Sequence, residues 1–151
     1  MDKYVFQYCQ KLVILSKDLN SVLLCKRKGE ADYDSVYSFP GGKMEITDGS
    51  IITGLQREKN EELGESFKIK LASTYSYNVR FVKNDGSIMI LPHYLAIYGS
   101  GNISLSDEYS EFQWVSLNSL NGFEPKIPNI PEVVQRLMGI KDLTTTDYEI
   151  I

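Results

Sequence analysis

Gly41-Gly42-Lys43-Met44-Glu45-Ile46-Thr47-Asp48-Gly49, running on through Ser50 to Arg57-Glu58-Lys59-Asn60-Glu61-Glu62-Leu63-Gly64, is the stretch on which the fold turns. Its spacing predicts a helix from about Ser50 to Leu63, ended by Gly64. On a helix, Glu58, Glu61 and Glu62 are related by steps of three and four, so the carboxylates share one face. Like charges at those spacings repel by about 0.2–0.5 kcal/mol per pair. Arg57 precedes Glu61 by four, the poorer orientation for a helical ion pair. An acidic helix face is commonly no more than a solvated one. A hard cation gives the cluster a second reason, because Mg²⁺ takes carboxylate oxygens while keeping waters and substrate phosphates in its shell. The Gly41-Gly42 turn lets backbone approach a ligand closely, and Gly54 allows the helix to pack tightly on a sheet.

Outward from this helix the chain reads mostly as strands. Residues 4–15 and 22–27 are rich in β-formers and are separated by a turn over 17–21. A polar, Tyr-containing loop spans 29–38, and Phe39 to Lys43 reads as a strand end and turn. Segments 67–83 and 87–98 form a predicted hairpin around Asn84-Asp85-Gly86. A short strand is expected at 114–117 and a closing helix at 131–139. Residues 1–142 are read as a single domain and the Thr-rich stretch 143–151 as a loose tail. Strands around one helix and before another imply an α/β fold, a mixed β-sheet sandwiched by helices.

Composition narrows the function. The 151 residues are 42% hydrophobic and 24% charged, ordinary for a globular domain. The net charge is −4 and the basic residues cluster only at Lys26-Arg27-Lys28, so a nucleic-acid duplex is a poor partner. A small phosphorylated ligand remains compatible, since local cations and a bound metal outweigh global charge. No apolar run approaches the ~18 residues of a membrane span, and the N-terminus does not read as a signal peptide, so no membrane partner and a cytoplasmic address are expected. Cys9 and Cys25 lie in apolar stretches and read as buried free thiols.

The run from Gly42 resembles the Nudix box, G-x5-E-x7-R-E-U-x-E-E-x-G-U with U apolar: Gly42, Arg57, Glu58, Glu61, Glu62 and Gly64 fall on matching positions. The signature is long and specific, and the order of strands and helices also resembles the family. The chain departs from it in three ways. One extra residue lies between Gly42 and Arg57, with Asp48 in place of the first Glu; Lys59 stands at the apolar position after the Arg-Glu pair; Glu65 follows Gly64. Lys59 must then snorkel or find a partner, and a leucine there is expected to be neutral or stabilising if the position is buried.

The resemblance implies a Nudix-type α/β/α sandwich and a Mg²⁺-dependent enzyme, with Mn²⁺ as an alternative. It implies Glu58 and Glu62 as the principal metal ligands, Glu61 helping and the Gly42 region giving a backbone oxygen. Arg57 would orient the carboxylates by charge-assisted hydrogen bonds. The general base is less fixed: Glu58 or Glu61 inside the box, or a loop carboxylate upstream of Trp114. Glu108 is the candidate of that last kind and Glu111 the reserve, as in MutT-type enzymes. In that group a basic residue upstream of a Phe-Pro-Gly-Gly turn contacts the nucleotide, which points to Arg27 (or Lys26), with Lys43 beside the turn. Asn129 resembles the placement of an Asn that reads a guanine edge, though a helix cap is the reading its position favours. Tyr33, Tyr37 and Phe39 are aromatic enough to stack on a base, or to pack in the core. His93 reads as structural.

The expected reaction is hydrolysis of a phosphoanhydride bond of a nucleoside diphosphate linked to another moiety, foremost a nucleoside triphosphate, oxidised purines included, giving monophosphate and pyrophosphate. ADP-ribose, a nucleotide sugar or a dinucleoside polyphosphate are the alternatives within the same chemistry. A nucleotide-sensing module that has lost turnover is the alternative of another class, and isomerase chemistry on an isoprenoid diphosphate ranks below both. The sequence leaves monomer and homodimer both open.

Overall fold

The computed structural model describes residues 3–139 and 147–151. Eight strands among these residues form one mixed sheet. They are β1 (Gln7–Leu15), β2 (Ser21–Arg27), β3 (Tyr37–Ser38), β4 (Gly41–Lys43), β5 (Lys68–Val82), β6 (Ile88–Ser100), β7 (Tyr109–Ser116) and β8 (Glu149–Ile150). Helix α1 (Ile51–Leu63) follows β4, and α2 (Ile130–Met138) follows β7 and a short 3₁₀ turn. The strand order is β3-β2-β1-β6-β5-β8, with β4 paired to β1 and β7 to β2. β1 and β6 run parallel, and the other named strand pairs are antiparallel.

β1 explains the layering. Leu12 to Leu15 are all buried, as expected for a strand covered on both faces. Side chains alternate along a strand, so Leu12 and Ile14 pack with Leu55 and Leu63 of α1, while Val13 and Leu15 pack with Ile130, Val133, Val134 and Leu137 of α2. The sheet is therefore the middle layer of an α/β/α sandwich. The hairpin read around Asn84-Asp85-Gly86 is closed by Lys83 N–H to Ser87 O and Gly86 N–H to Lys83 O, both 2.9 Å.

The sequence reading needs two corrections in the fold. The strand expected at 114–117 begins at Tyr109, because its middle faces solvent and lacks the apolar signature of a strand. The loose tail read over 143–151 does not hold at its end. Glu149 and Ile150 pair with β5, Ile151 exchanges two backbone hydrogen bonds with Ile69 at 3.1 Å, and its side chain is buried with Leu12 and Phe67. Residues 143–146 lie outside the described residues.

Candidate active site

Helix α1 is positioned at both ends. Ser50 caps it: its Oγ accepts from Thr53 N–H at 3.1 Å and Thr53 Oγ1 accepts from Ser50 N–H at 2.9 Å, a capping box with Thr in the Glu/Gln place. At the other end Gly64 N–H closes on Asn60 O at 3.1 Å. One side of the helix buries Gly54, Leu55, Glu58, Lys59, Glu62 and Leu63. A Cβ on Gly54 would sit 2.8 Å from Gln10 Oε1, so the tight helix–sheet contact expected there is present. Lys59 is fully buried and has found partners: its ammonium donates to Phe67 O at 2.7 Å and Gly64 O at 3.2 Å, just past the end of its own helix.

Beside the Gly41–Gly42 strand lies a cleft of about 490 Å³. Glu58, Glu61 and Glu62 line one end of it together with Glu108, which loop and strand bring from the far part of the chain. Glu58 lies against the backbone of Gly42, where a Cβ would collide with its carboxylate. Glu62 Oε2 accepts from Gly41 N–H at 2.6 Å and from the Tyr109 hydroxyl at 3.1 Å. Glu61 is the exposed member.

Arg57 organises this end, as the sequence suggested for it. Its Nη1 donates to Glu58 Oε1 at 2.8 Å and Glu61 Oε2 at 3.2 Å. Its Nε and Nη2 hold the two oxygens of Asp48 at 2.8 and 2.9 Å, and Nη2 also reaches Lys43 O at 3.1 Å. Asp48 is thereby held down at about 2, by the guanidinium first and the Glu45 N–H second. The arginine is raised in turn.

Burial pushes the Glu62 carboxyl up to about 8 against the pull of the Lys11 ammonium, with the neighbouring Glu108 carboxyl adding to the rise. Glu58 is raised too, by burial, while Arg57 opposes the shift. Packed carboxyls with raised pKa values suit a hard divalent cation, whose charge favours their ionised forms. Among the described residues no three acidic, His or Cys side chains are already closed up as a metal cage. Glu58 gives one oxygen to Arg57, and Glu62 gives one to Gly41 and Tyr109, which leaves each a second oxygen to offer. That donor set fits Mg²⁺, which takes one or two carboxylates and completes its shell with water and phosphate.

Of the other sequence candidates, Arg27 and Lys43 line the cleft and Asn129 does not. Asn129 sits at the N-cap of α2, where its side chain makes no capping hydrogen bond. The Pro-Asn-Ile-Pro pattern marked the helix start, and its likeness to a base reader is not matched by a place in the cleft wall. Glu111 is also away from the cleft lining, holding the Tyr37 hydroxyl at 2.7 Å and Lys26 at 3.8 Å. Of the three aromatics, Tyr37 and Phe39 are core and Tyr33 lines the cleft. His93 is structural: its Nδ1 lies 2.9 Å from Leu91 O, and its ring packs edge-on to Phe39.

Sequence reasoning missed Lys11, Asp32, Tyr109 and Phe81, all in the cleft wall. Lys11 carries no hydrogen bond or ion pair among the described residues, yet it pulls the pKa values of both Glu62 and His93 down. A lysine inside an otherwise apolar strand was the available signal for it. The cleft thus has a carboxylate end, a rim of cations including Lys11, Arg27 and Lys43, and an apolar end with Phe81, Met89 and Leu91. No helix among the described residues is long and apolar enough to cross a membrane. Both cysteines are free and buried.

Comparison with known proteins agrees with this architecture. A MutT protein from Methanosarcina mazei Go1 superposes with a TM-score of 0.73 at 23% identity, over 91% of this chain and 96% of that one. The NUDIX domain of Shewanella oneidensis NrtR complexed with ADP ribose gives 0.70 at 15% identity, over 91% and 92%. A C. elegans Ap4A hydrolase gives 0.69 at 16% identity, over 87% and 95%. At these identities the likeness is one of fold. No curated protein matches the chain. The NUDIX domain profile matches residues 11–137, most of the chain and all of the carboxylate helix, and on that ground the chain belongs to the Nudix hydrolase family.

Proposed function

We propose that this Nudix hydrolase is a Mg²⁺-dependent pyrophosphohydrolase of nucleoside triphosphates, oxidised purine forms included, that releases the monophosphate and pyrophosphate in the cytoplasm. The observation that carries the reading is one cleft of about 490 Å³ whose wall brings together Glu58, Glu61, Glu62 and Glu108, the cations Lys11, Arg27 and Lys43, and the apolar side chains of Phe81, Met89 and Leu91.

Glu58 and Glu62 would hold the metal, with Glu61 and a backbone oxygen of the Gly42 region beside them, and Mn²⁺ would suit the same oxygens. When bound, the ion supplies positive charge to the diphosphate oxygens as the bond breaks. Arg57 fixes Glu58 and Glu61 in place without touching substrate, and Tyr109 does the same for Glu62. Glu108 takes the proton of the water that attacks phosphorus, and the bridging phosphate oxygen leaves with the bond electrons. Lys11, Arg27 and Lys43 hold the phosphate oxygens that carry the excess charge.

The fold neighbours complexed with ADP ribose or described as an Ap4A hydrolase keep hydrolysis of ADP-ribose-like and dinucleoside polyphosphate substrates as the second reading. A release assay for pyrophosphate and phosphate with Mg²⁺ separates them, run on nucleoside triphosphates (8-oxo-dGTP included), ADP-ribose, nucleotide sugars and dinucleoside polyphosphates. Pyrophosphate from triphosphates is the expected result. A hit confined to the other classes would replace the substrate, and metal binding with no turnover anywhere would make the chain a nucleotide sensor.

A further inference from the structure

The apolar end of the cleft contains one feature that apolar packing does not call for, a buried carboxylate. Asp32 is 9% exposed and lies in the cleft wall, in the loop between β2 and β3. Its Oδ1 accepts from the Asn84 backbone N–H at 3.1 Å, which ties this loop to the β5–β6 turn. Its Oδ2 has no hydrogen bond among the described residues, and unlike the Arg27 Nε it is not shut away from solvent. That oxygen faces the cleft with its acceptor capacity unused by the protein, so a ligand donor can take the place of water there.

The surroundings say what kind of donor. Tyr33, next in sequence, stands with its ring centroid 6.0 Å from that of Phe81, tilted by 41°, and both rings line the cleft. Tyr33 and Ser35 have φ of 52° and 60°, a left-handed backbone that non-glycine residues rarely adopt. The strain is held by several contacts: Arg27 Nη2 donates to Asp32 O at 3.3 Å and pairs with Glu30 at 3.2 Å, and Asp34 Oδ1 accepts from Glu30 N–H at 3.0 Å. Such over-determined strain is typical of segments that present side chains to a ligand. A flat ring seated against Tyr33 and Phe81 would bring its polar edge to Asp32.

We propose that Asp32 selects the base, its free carboxylate oxygen accepting a hydrogen bond from an exocyclic amino group while Tyr33 and Phe81 hold the ring. The selector rests on the nucleoside-triphosphate reading above. It makes the preferred substrates the triphosphates of guanine, adenine or cytosine over those of hypoxanthine or uracil. Sites built to bond a substrate N–H reject the analogue lacking it strongly, because the buried acceptor is then left unpaired.

Asp32→Asn isolates the effect. An asparagine keeps an oxygen for the Asn84 N–H, so the loop clip survives, and it replaces the free acceptor with an amide donor. The experiment is kcat/KM with Mg²⁺ for GTP, ATP, ITP, CTP and UTP, on wild type and Asp32→Asn, with thermal melting to establish folding. In wild type the amino-bearing member of at least one matched pair (GTP or ATP against ITP, CTP against UTP) is favoured by about 10-fold or more. In Asp32→Asn that ratio falls to near one or inverts, with the rate on ITP or UTP retained. A ratio unchanged in Asp32→Asn, or a wild type that cleaves these nucleotides without preference, overturns the selector and leaves the triphosphate reading standing. If wild type cleaves none of the five, the selector is overturned, and the triphosphate reading falls with it when 8-oxo-dGTP is not cleaved either. Should Asp32→Asn fail to fold, the wild-type ratios on the matched pairs still decide.

Discussion

Asp48 and Arg57, nine residues apart, face each other as a fork: Nε meets Oδ1 at 2.8 Å and Nη2 meets Oδ2 at 2.9 Å. The shorter acid and the extra residue in the box therefore still deliver a bidentate pair. The turn that carries Asp48 is closed on itself, Asp48 N–H to Glu45 O at 3.0 Å and Glu45 N–H to Asp48 Oδ2 at 2.8 Å. What the pair stabilises is the direction of Arg57, whose remaining nitrogen holds Glu58 and Glu61.

Asp48→Asn is expected to lower kcat/KM by about 10- to 100-fold and to raise the Mg²⁺ concentration needed for half-maximal rate, as loss of an outer partner does at metal sites. A Mg²⁺ titration of both proteins checks it. An unchanged titration would mean that Arg57 keeps its place without Asp48.

Glu62→Gln removes the charge but leaves an oxygen for Gly41 N–H, so the protein should fold and lose at least ~100-fold in kcat. Tyr109→Phe removes only one hydrogen bond to the same carboxylate and should lose much less. Steady-state rates beside far-UV melting curves give the comparison. Near-wild-type activity in Glu62→Gln would sink the metal assignment.

Lys59→Leu fits the space but takes the donor from Gly64 O and Phe67 O. The cost is about 1–3 kcal/mol of unfolding free energy, with specific activity unchanged in the folded fraction. This reverses the expectation from sequence, which priced only the buried charge and not the two carbonyls waiting for it. Urea unfolding is the measurement, and a midpoint equal to wild type would show that those carbonyls find other partners.

His93 makes one pH-dependent contribution to stability, which comparison with a variant separates from the opposite contribution of the raised Glu58 and Glu62 carboxyls. Burial first, and then Lys11, lower the His93 pKa from 6.5 to about 4. The unfolded chain therefore binds a proton that the folded chain refuses, so its contribution is fully present above about pH 6.5 and is lost as pH falls towards 4. The full effect is at most about 3 kcal/mol. Unfolding free energies measured from pH 7 to 4 in wild type and His93→Gln should converge as pH falls; parallel curves would show that other groups set the acid limb.

The carboxylate helix was legible because its information is local. Steps of three and four put Glu58, Glu61 and Glu62 together, and the helix ends are marked by Ser50 and Gly64. The sandwich was legible for the same reason, from strand composition and turn residues. Lys11, Asp32 and Tyr109 were not, since each acquires its meaning from partners far along the chain: Tyr109 meets Glu62 47 positions away and Asp32 meets Asn84 52 positions away. The lysine was out of place in an apolar strand, which marks it as unusual but does not say what it meets, and an aspartate in a polar loop carries no local mark at all. Asn129 is ambiguous in sequence, because a pattern that marks a helix start also resembles a recognition residue, and the structure places it at the start of α2 outside the cleft lining. The end of the chain failed because two residues of strand are too short to show a period.

The clip between Asp32 and Asn84 joins one loop to another, whereas Glu58, Glu61 and Glu62, which would hold the metal, hang from α1 and are braced by β4. Recognition and metal-holding residues are thus written on separate pieces of backbone, and Glu108 is the one reacting group tied to the recognition side, its carbonyl accepting from Lys28 N–H at 3.0 Å. Nature, or an engineer, can rewrite residues 29–36 and the turn opposite while leaving the glutamates in place, and one scaffold can be retargeted among nucleotides without relearning how to break the bond.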